Sequence, residues 1–485
     1  MPLILSGNVA SATAAGYEVA NSCRFNDDDS AYMTTTGLST PTSKRAATFS
    51  FWIKRGNLGI NTAFFGGESD SNDYGQIGFD SSDNLQCYIE INGSTELNLV
   101  TSAVYRDPSA WMHIALIIDG SQGTAANRAK LYVNGTQVTA FGTAEYMSQN
   151  TDLAFLETHL PANAFIGVRK QGGSLSRYFD GYIAEAVYLD GTIAAIGDLG
   201  EFDEDSPTIW KPKDVSGLTF GNNGFYLDFE DSGDLDDDES GNGNDFTASN
   251  LAATDQATDT PTLNYATFNP LIKMTAHPTF TEGNLKITNS LSNKAECSYS
   301  TIAVSSGKWY AEFKCSAGTV HRPGISSTNA GQAQGNPSEN QNYPGMETEG
   351  WGWYYGNGYI YNNGSATITS GYDTFSSSDI VSVGLDCDNM RLYFGKNGTW
   401  QNSADPAAGS GGIDISSIPS GSLLVIGMQV EDSSGGSASA EANFGSPPYA
   451  ISSGNSDGDD YGNFEYAVPS GFYALNSKNL AEYGG

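Results

Sequence analysis

An all-β fold is what this 485-residue sequence predicts: two antiparallel β-sandwich domains of jelly-roll type joined by an acidic connector rich in Gly, Asn and Asp. Three observations lead there. Glycine supplies 57 residues, roughly 12% against a usual ~7%, which suits many tight turns and little helix. Apolar residues alternate with the two-residue period of strands. Asn-Gly and Gly-rich pairs fall between these runs, where hairpins must turn.

The elements follow in chain order. Residues 1–20 are small and apolar-leaning and read as an N-terminal arm. The first sandwich is expected over 21–200. In TFSFWIK, Phe49, Phe51 and Ile53 fall on one face and Ser50 and Trp52 on the other. WMHIALIID from Trp111 is apolar on nearly both faces, as a strand inside a sandwich should be. AKLYVNGTQV from Ala129 is a hairpin turning at Asn134-Gly135, and FDGYIAEAVYL from Phe179 is a further strand. Residues 201–272 form the connector, with Phe225 to Phe229 its best strand candidate. The second sandwich is expected over 273–485, from KWYAEFKC, the aromatic hairpin WGWYYGNGYIY, DIVSVGL, RLYFGKNGTW and LLVIGMQV.

Charge excludes some functions. The sum 22 − 56 = −34 repels phosphate backbones and anionic lipid, so neither nucleic acid nor a membrane is an expected partner. No stretch approaches the ~18 apolar residues of a membrane span. The opening MPLILSG lacks the basic segment and apolar length of a signal peptide. Five cysteines form no CxxC and read as small buried apolar residues.

Catalytic signatures are absent: no GxSxG, no GxxxxGK[ST] and no HExxH. The ExDxxE strand that one class of β-sandwich glycosidases carries has its nearest approach at Glu201 to Ser206, where the final Glu is missing. Glu185 and Asp190 read as a solvated strand residue and a turn residue. No catalytic residue is assigned and no enzyme is expected. Calcium is the one cofactor suggested, because Asp236, Asp238, Ser240 and Gly241 reproduce the first half of a calcium loop, with Asp245 as a further ligand. A solvated acidic turn is the alternative. Asn92, Asn134, Asn363 and Asn397 begin glycosylation sequons, but each sits where a hairpin turn is wanted.

The motifs also carry a resemblance. Arg24-Phe25-Asn26, TFSFWIKRG, WMHIALIIDG, KLYVNGTQV, FIGV and FDGYIAEAVYLDG are similar in order and spacing to laminin-G-like, concanavalin-type lectin modules. GKWYAEFK, GWGWYYGNGYIYNNG, DIVSVGLDCDNMRLYFGKNGTW, ANFGSPPY and PSGFYAL resemble the SPRY module. The whole chain resembles tail-fibre-like and structural proteins of marine bacteriophages, through its start and its NGFYLDFEDSG to TDTPT connector. This resemblance implies a virion protein made in the host cytoplasm. Its implied partners are other virion proteins, further copies of itself (a trimer, as in fibres, although no heptads are present) and a host-surface glycan or protein. SPRY modules take ligands on loops at one end, which nominates Val320 to Gly350 and, within it, His321, Arg322 and Tyr343. Strand alternation adds Tyr354 as the exposed member of the aromatic hairpin. The function expected first is a receptor-binding adhesin, then a decoration or cement protein, and last a glycan depolymerase.

Overall fold

The computed structural model describes residues 3–5, 16–35, 38–153, 163–272, 277–291, 294–318, 320–329, 343–433 and 436–484. The chain is nearly all β and divides into two compact units. One spans Ala14–Thr262; the other joins residues 3–5 to Leu263–Gly485.

The first unit is a sandwich of two eight-stranded sheets. In one, Ala46–Arg55 lies between Met112–Asp119 and Gly181–Asp190, with Ala129–Val133 beyond one neighbour and Ser22–Phe25 beyond the other. The other sheet orders Phe141–Glu145, Ser94–Val104, Asn84–Ile91, Asp73–Phe79, Thr62–Asp70, Asn163–Ile166, Tyr32–Thr34 and Thr247–Ser249. Between them Phe49, Phe51 and Ile53 meet Phe64, Phe65, Ile77, Leu97 and Leu99 in one core. The expected turn at Asn134-Gly135 has φ of 46° and 70°, the left-handed values a tight hairpin demands.

Ser50, Trp52 and Lys54, on the second face of Ala46–Arg55, are also buried. The cause is the acidic stretch expected as a connector. Between 200 and 257 it forms five short strands, and three of them join the two sandwich sheets: Phe225–Leu227 on Gly181–Asp190, Thr247–Ser249 on Tyr32–Thr34, and Gln256–Ala257 on Ser22–Phe25. Leu199, Val215, Phe220 and Tyr226 cover Ala115, Val187 and Leu189 on the sheet's outer side. Trp210 donates its Nε1 to His113 Nδ1 at 3.1 Å, and Ser50 Oγ lies 2.8 Å from Nε2 of the same ring. Burial drives the His113 pKa down to about 3, so the imidazole is neutral.

Charges fasten this cover. Lys54 Nζ lies 2.6 Å from Asp259 Oδ2, with both side chains only 1% and 2% exposed. Trp111 Nε1 donates to the other Asp259 oxygen at 2.9 Å, and Ser22 Oγ to its carbonyl at 2.7 Å. Arg24 reaches Asp255 at 3.1 Å and the carbonyl of Thr254 at 2.9 Å.

Glu185 and Asp190 depart from expectation, because the cover buries both. Asp190 accepts from the backbone amides of Thr42 (2.6 Å), Ser43 (3.3 Å) and Asn223 (3.1 Å). Glu185 is 4% exposed, sits at a β-bulge with φ 50°, and accepts from Tyr226 Oη at 3.0 Å and Tyr17 Oη at 3.4 Å. Burial pushes its pKa from the ordinary 4.5 to about 8, against the pull of those tyrosines.

The second unit stacks a nine-stranded sheet on a six-stranded one. Lys308–Ala317, Ile380–Asp386 and Arg391–Lys396 are consecutive in the larger sheet; Leu424–Glu431, Val320–Ser327 and Gly350–Trp353 are consecutive in the smaller. Trp353 meets Phe394 across the core at 5.7 Å between centroids. The N-terminal arm does not stand free where it is described: Ile4 bridges Ile302, while Leu3 and Leu5 pack near Tyr299 and Val425. All five cysteines are buried and unpaired.

Two outcomes follow. Asp259→Ala leaves the Lys54 ammonium buried without its counter-charge, for an expected cost of about 3–5 kcal/mol, read from urea unfolding by tryptophan fluorescence. Replacing both partners with apolar residues (Lys54→Met with Asp259→Leu) should recover most of that loss. For Glu185, the folded chain keeps a proton that the unfolded chain loses above pH 4.5. Stability therefore falls as pH rises from 4.5 to about 8, by about 1.4 kcal/mol per unit. Melting temperatures of Glu185→Gln should drop less than those of the natural chain between about pH 5 and pH 9.

Candidate functional site

With one sheet of the first unit covered, the outer face of the other carries a different chemistry. Strand pairing sets Gln76 opposite Tyr88, and Tyr88 opposite Asn98. One row over, Glu68, Tyr74 and Glu90 line up. Alternation sends Ile77, Cys87, Ile89, Leu97 and Leu99 into the core, so the polar set shares the outer side. Its amides form a ladder: Gln76 Nε2 donates to Gln86 Oε1 at 3.2 Å, and Gln86 Nε2 to Asn98 Oδ1 at 3.2 Å. Tyr88 and Tyr74 both donate to Glu90 Oε2, at 2.8 and 3.2 Å, with their rings 5.7 Å apart. Burial first, then Tyr88 and Glu90, raises the Tyr74 pKa well above the usual phenol range.

The hairpin of Arg169–Gln171 and Ser174–Ser176 overhangs this face. It can cross there because residue 66 is glycine: a Cβ would lie 2.6 Å from Val168 O and 3.2 Å from Arg169 Cα. The hairpin brings the Arg169 guanidinium within 6.0 Å of the Tyr74 ring centre, and Lys170 to Glu68 at 3.4 Å. Just after the hairpin, Arg177 Nη1 donates to Gln86 Oε1 at 3.5 Å. Aligned amides beside the half-buried Tyr88 ring suit hydroxyl-rich rings, which need both hydrogen bonds and an apolar face to stack on. No motif announces these residues. Their only signal is alternation, plain in NLQCYIEI from Asn84.

In the second unit the expected ligand loop is partly strand. Val320–Ser327 pairs with Leu424–Glu431 and with Gly350–Trp353; residues 330–342 lie outside the described ones. His321 is buried and its Nε2 donates to Ser439 O at 3.0 Å, and burial lowers its pKa. Arg322 is 5% exposed, with its guanidinium 3.6 Å from the Tyr343 ring, 4.6 Å from Tyr361 and 4.8 Å from Tyr354. Tyr343, Tyr354 and Tyr361 are each half-buried. The structure thus brings Arg322, Tyr343 and Tyr354 together as a cation–π stack on the sheet, while His321, next in sequence, is turned into the interior. Gly352 makes room for the stack, since a Cβ there would lie 2.8 Å from Arg322 Cδ.

Residues 27–194 match the family model of the concanavalin A-like lectin/glucanases superfamily. The whole Gln76–Tyr88–Asn98 face falls inside that segment. No curated protein matches the chain. Among solved structures, the chain is similar to the SPRY domain of human HERC1 at 18% identity, over 36% of this chain and 96% of that one, with TM-score 0.27. It is also similar to the heptameric SAP-like pentraxin of Limulus polyphemus (15%; 37% and 81%; 0.28). A third likeness is to a Bacteroides ovatus protein provisionally described as carbohydrate-binding (15%; 48% and 61%; 0.31). At such scores these are likenesses alone.

The loop nominated for calcium is closed by its own hydrogen bonds. Asp238 accepts from the amides of Tyr226 (2.9 Å), Ser240 (3.0 Å) and Asn244 (2.9 Å) and from Ser240 Oγ (2.8 Å). Asp236 accepts from the Ala248 amide at 2.5 Å, and Asp245 from the Asp238 amide at 3.3 Å. Among the described residues, no group of three or more His, Cys, Asp or Glu is placed to hold a metal ion. A cation at Asp236, Asp238, Ser240 and Asp245 would have to displace these amide donors. The expected outcome is therefore one melting temperature in calcium and in EDTA; a rise with calcium would show that the exchange takes place.

Proposed function

We propose that the protein is a non-catalytic binding protein that takes a glycan on the Gln76–Tyr88–Asn98 face. In line with the resemblance of the whole chain, it would serve as an adhesin on a bacteriophage virion that contacts host-surface glycan. The observation that carries the reading is the amide ladder itself: three side-chain amides aligned across three strands, with Gln86, Tyr88 and Asn98 half-buried beside the buried Gln76 and Tyr74, within the segment that matches the lectin/glucanase family model. The carboxylates nearby are engaged, Glu68 by Lys170 and Glu90 by two tyrosine hydroxyls, which supports binding over hydrolysis. Single contacts of this kind are weak, and several copies on one particle would raise avidity by making later contacts intramolecular. A homotrimer of the fibre type would supply such copies.

The test is saturable binding of the purified full chain to a panel of bacterial surface polysaccharides, with melting curves as the control for folding. Tyr88→Ala and Gln76→Ala are each expected to weaken binding about tenfold or more, the loss of roughly 1.4 kcal/mol, with only small changes in melting. Binding that survives both substitutions, or no binding to any member of the panel, would overturn the proposal. The second result would leave a decoration or cement role in front, and shortening of a polysaccharide during incubation would point to a depolymerase instead.

A further inference from the structure

The charges around the amide ladder narrow the ligand. The chain holds 56 acidic residues against 22 Lys and Arg, so carboxylates are at hand to neutralise nearly any cation. Arg169 and Arg177 nevertheless form no ion pair with a described residue, although Lys170 between them takes Glu68. The hairpin register sets Arg169 opposite Ser176, next to Arg177. Arg169 Nη2 donates only to Ser176 Oγ at 3.1 Å, and its Nε is buried without a hydrogen-bond partner among the described residues. Arg177 has φ 62°, a backbone state that costs a non-glycine residue, and is held there by the Ala63 amide donating to its carbonyl at 2.8 Å.

The two guanidiniums also oppose each other. Burial, then Arg169, lowers the Arg177 pKa, and Tyr74 and Asp80 only partly offset this. Asp80 does not reach Arg177 as an ion pair, because its Oδ1 accepts from the amides of Ser82 (2.8 Å) and Asn84 (3.0 Å) in its own turn. The floor below adds an unpartnered acceptor, Gln76 Oε1, buried without a described donor on a side chain only 3% exposed; it calls for a hydroxyl and not for the anion. Adjacent, like-charged groups with unused donors are expensive unless something anionic completes them.

We infer that the glycan is an acidic polysaccharide whose carboxylate or sulfate ester lies against Arg169 and Arg177 while a sugar ring stacks on Tyr88. This inference rests on the glycan-binding reading and adds the ligand's charge. Guanidinium forks match planar carboxylates and sulfate oxygens in two-point contacts. Gln86 and Tyr88 stand two residues apart on one strand face, about 6.8 Å along the strand, so a hydrogen-bonding amide and a stacking ring are offered side by side. Because the net charge of −34 repels polyanions elsewhere on the chain, retention of one would report on this face in particular.

Three polymers serve as probes for the full chain: polygalacturonate for carboxylate, dextran sulfate for sulfate ester, and neutral dextran. At least one acidic polymer should bind at low salt and weaken as salt rises, and dextran should bind at least tenfold less well. Arg169→Gln with Arg177→Gln should cut acidic-polymer binding at least tenfold, whereas Arg169→Lys with Arg177→Lys should keep part of it and certify that the hairpin still folds. Acidic binding untouched by the glutamine pair would overturn the inference. Equal binding of dextran, abolished by Tyr88→Ala alone, would overturn it while leaving the glycan reading intact. If none of the three polymers binds but another neutral polysaccharide does, the charge assignment falls; if nothing binds, both fall.

Discussion

Asp259 holds Lys54 at 2.6 Å and Trp111 at 2.9 Å where almost no water reaches, and much of the first unit's arrangement follows from that clamp. A buried ion pair adds little net stability compared with two apolar residues of the same size. Its effect is on position. Once Asp259 must sit over Lys54, strand Gln256–Ala257 is laid along Ser22–Phe25, and the chain before it is drawn back across the sheet. Leu199, Phe220 and Tyr226 then close over Val187 and Leu189. One sheet thereby loses its solvent side, and the outward-facing row of amides and tyrosines is left to the other.

The second unit handles a buried charge by a different route. Among the described residues no cation forms an ion pair with Glu312. Its oxygens accept from Tyr310 Oη at 2.8 Å and from the amides of Tyr466 and Glu465 at 2.9 and 3.0 Å, and burial still raises its pKa. Hydrogen bonds alone hold this carboxylate, and in doing so they tie the 465–466 segment to the central strand. Arg322 takes a third route, packed among the rings of Tyr343, Tyr361 and Tyr354. Each solution tolerates a charge inside a sandwich, and each draws a distant piece of chain onto a sheet.

Much of this was written in the local pattern. Phe49, Phe51 and Ile53 share a face because strands alternate, and Asn397-Gly398, with φ of 46° and 79°, turns a hairpin for the same steric reason as Asn134-Gly135. Phe225 to Leu227 is a strand as its apolar run suggests. The acidic stretch was harder to read, because composition counts carboxylates without saying which are capping amides: Asp238 is 6% exposed in a run that reads as solvated. Likewise Glu185 shows nothing in its own neighbourhood of the cover formed by Tyr17 and Tyr226. The Gln76, Gln86, Tyr88 and Asn98 face was legible only as alternation, since a site assembled across strands leaves no contiguous motif. Arg322 looked like a loop residue because His321, Pro323 and Gly324 interrupt the apolar pattern of a strand.

One pairing also bears on the order of events during synthesis. Ile4 is made well ahead of its partner, for its amide donates to the carbonyl of Thr301. At about 5–20 residues per second, Ile4 waits roughly 15–60 seconds for that partner to exist. Through this interval Leu3, Ile4 and Leu5 have no native place to go, while the unit that follows them is free to fold. The second sandwich is therefore completed in part by residues made before the first, through a strand-like contact that spans the whole of the first unit in sequence.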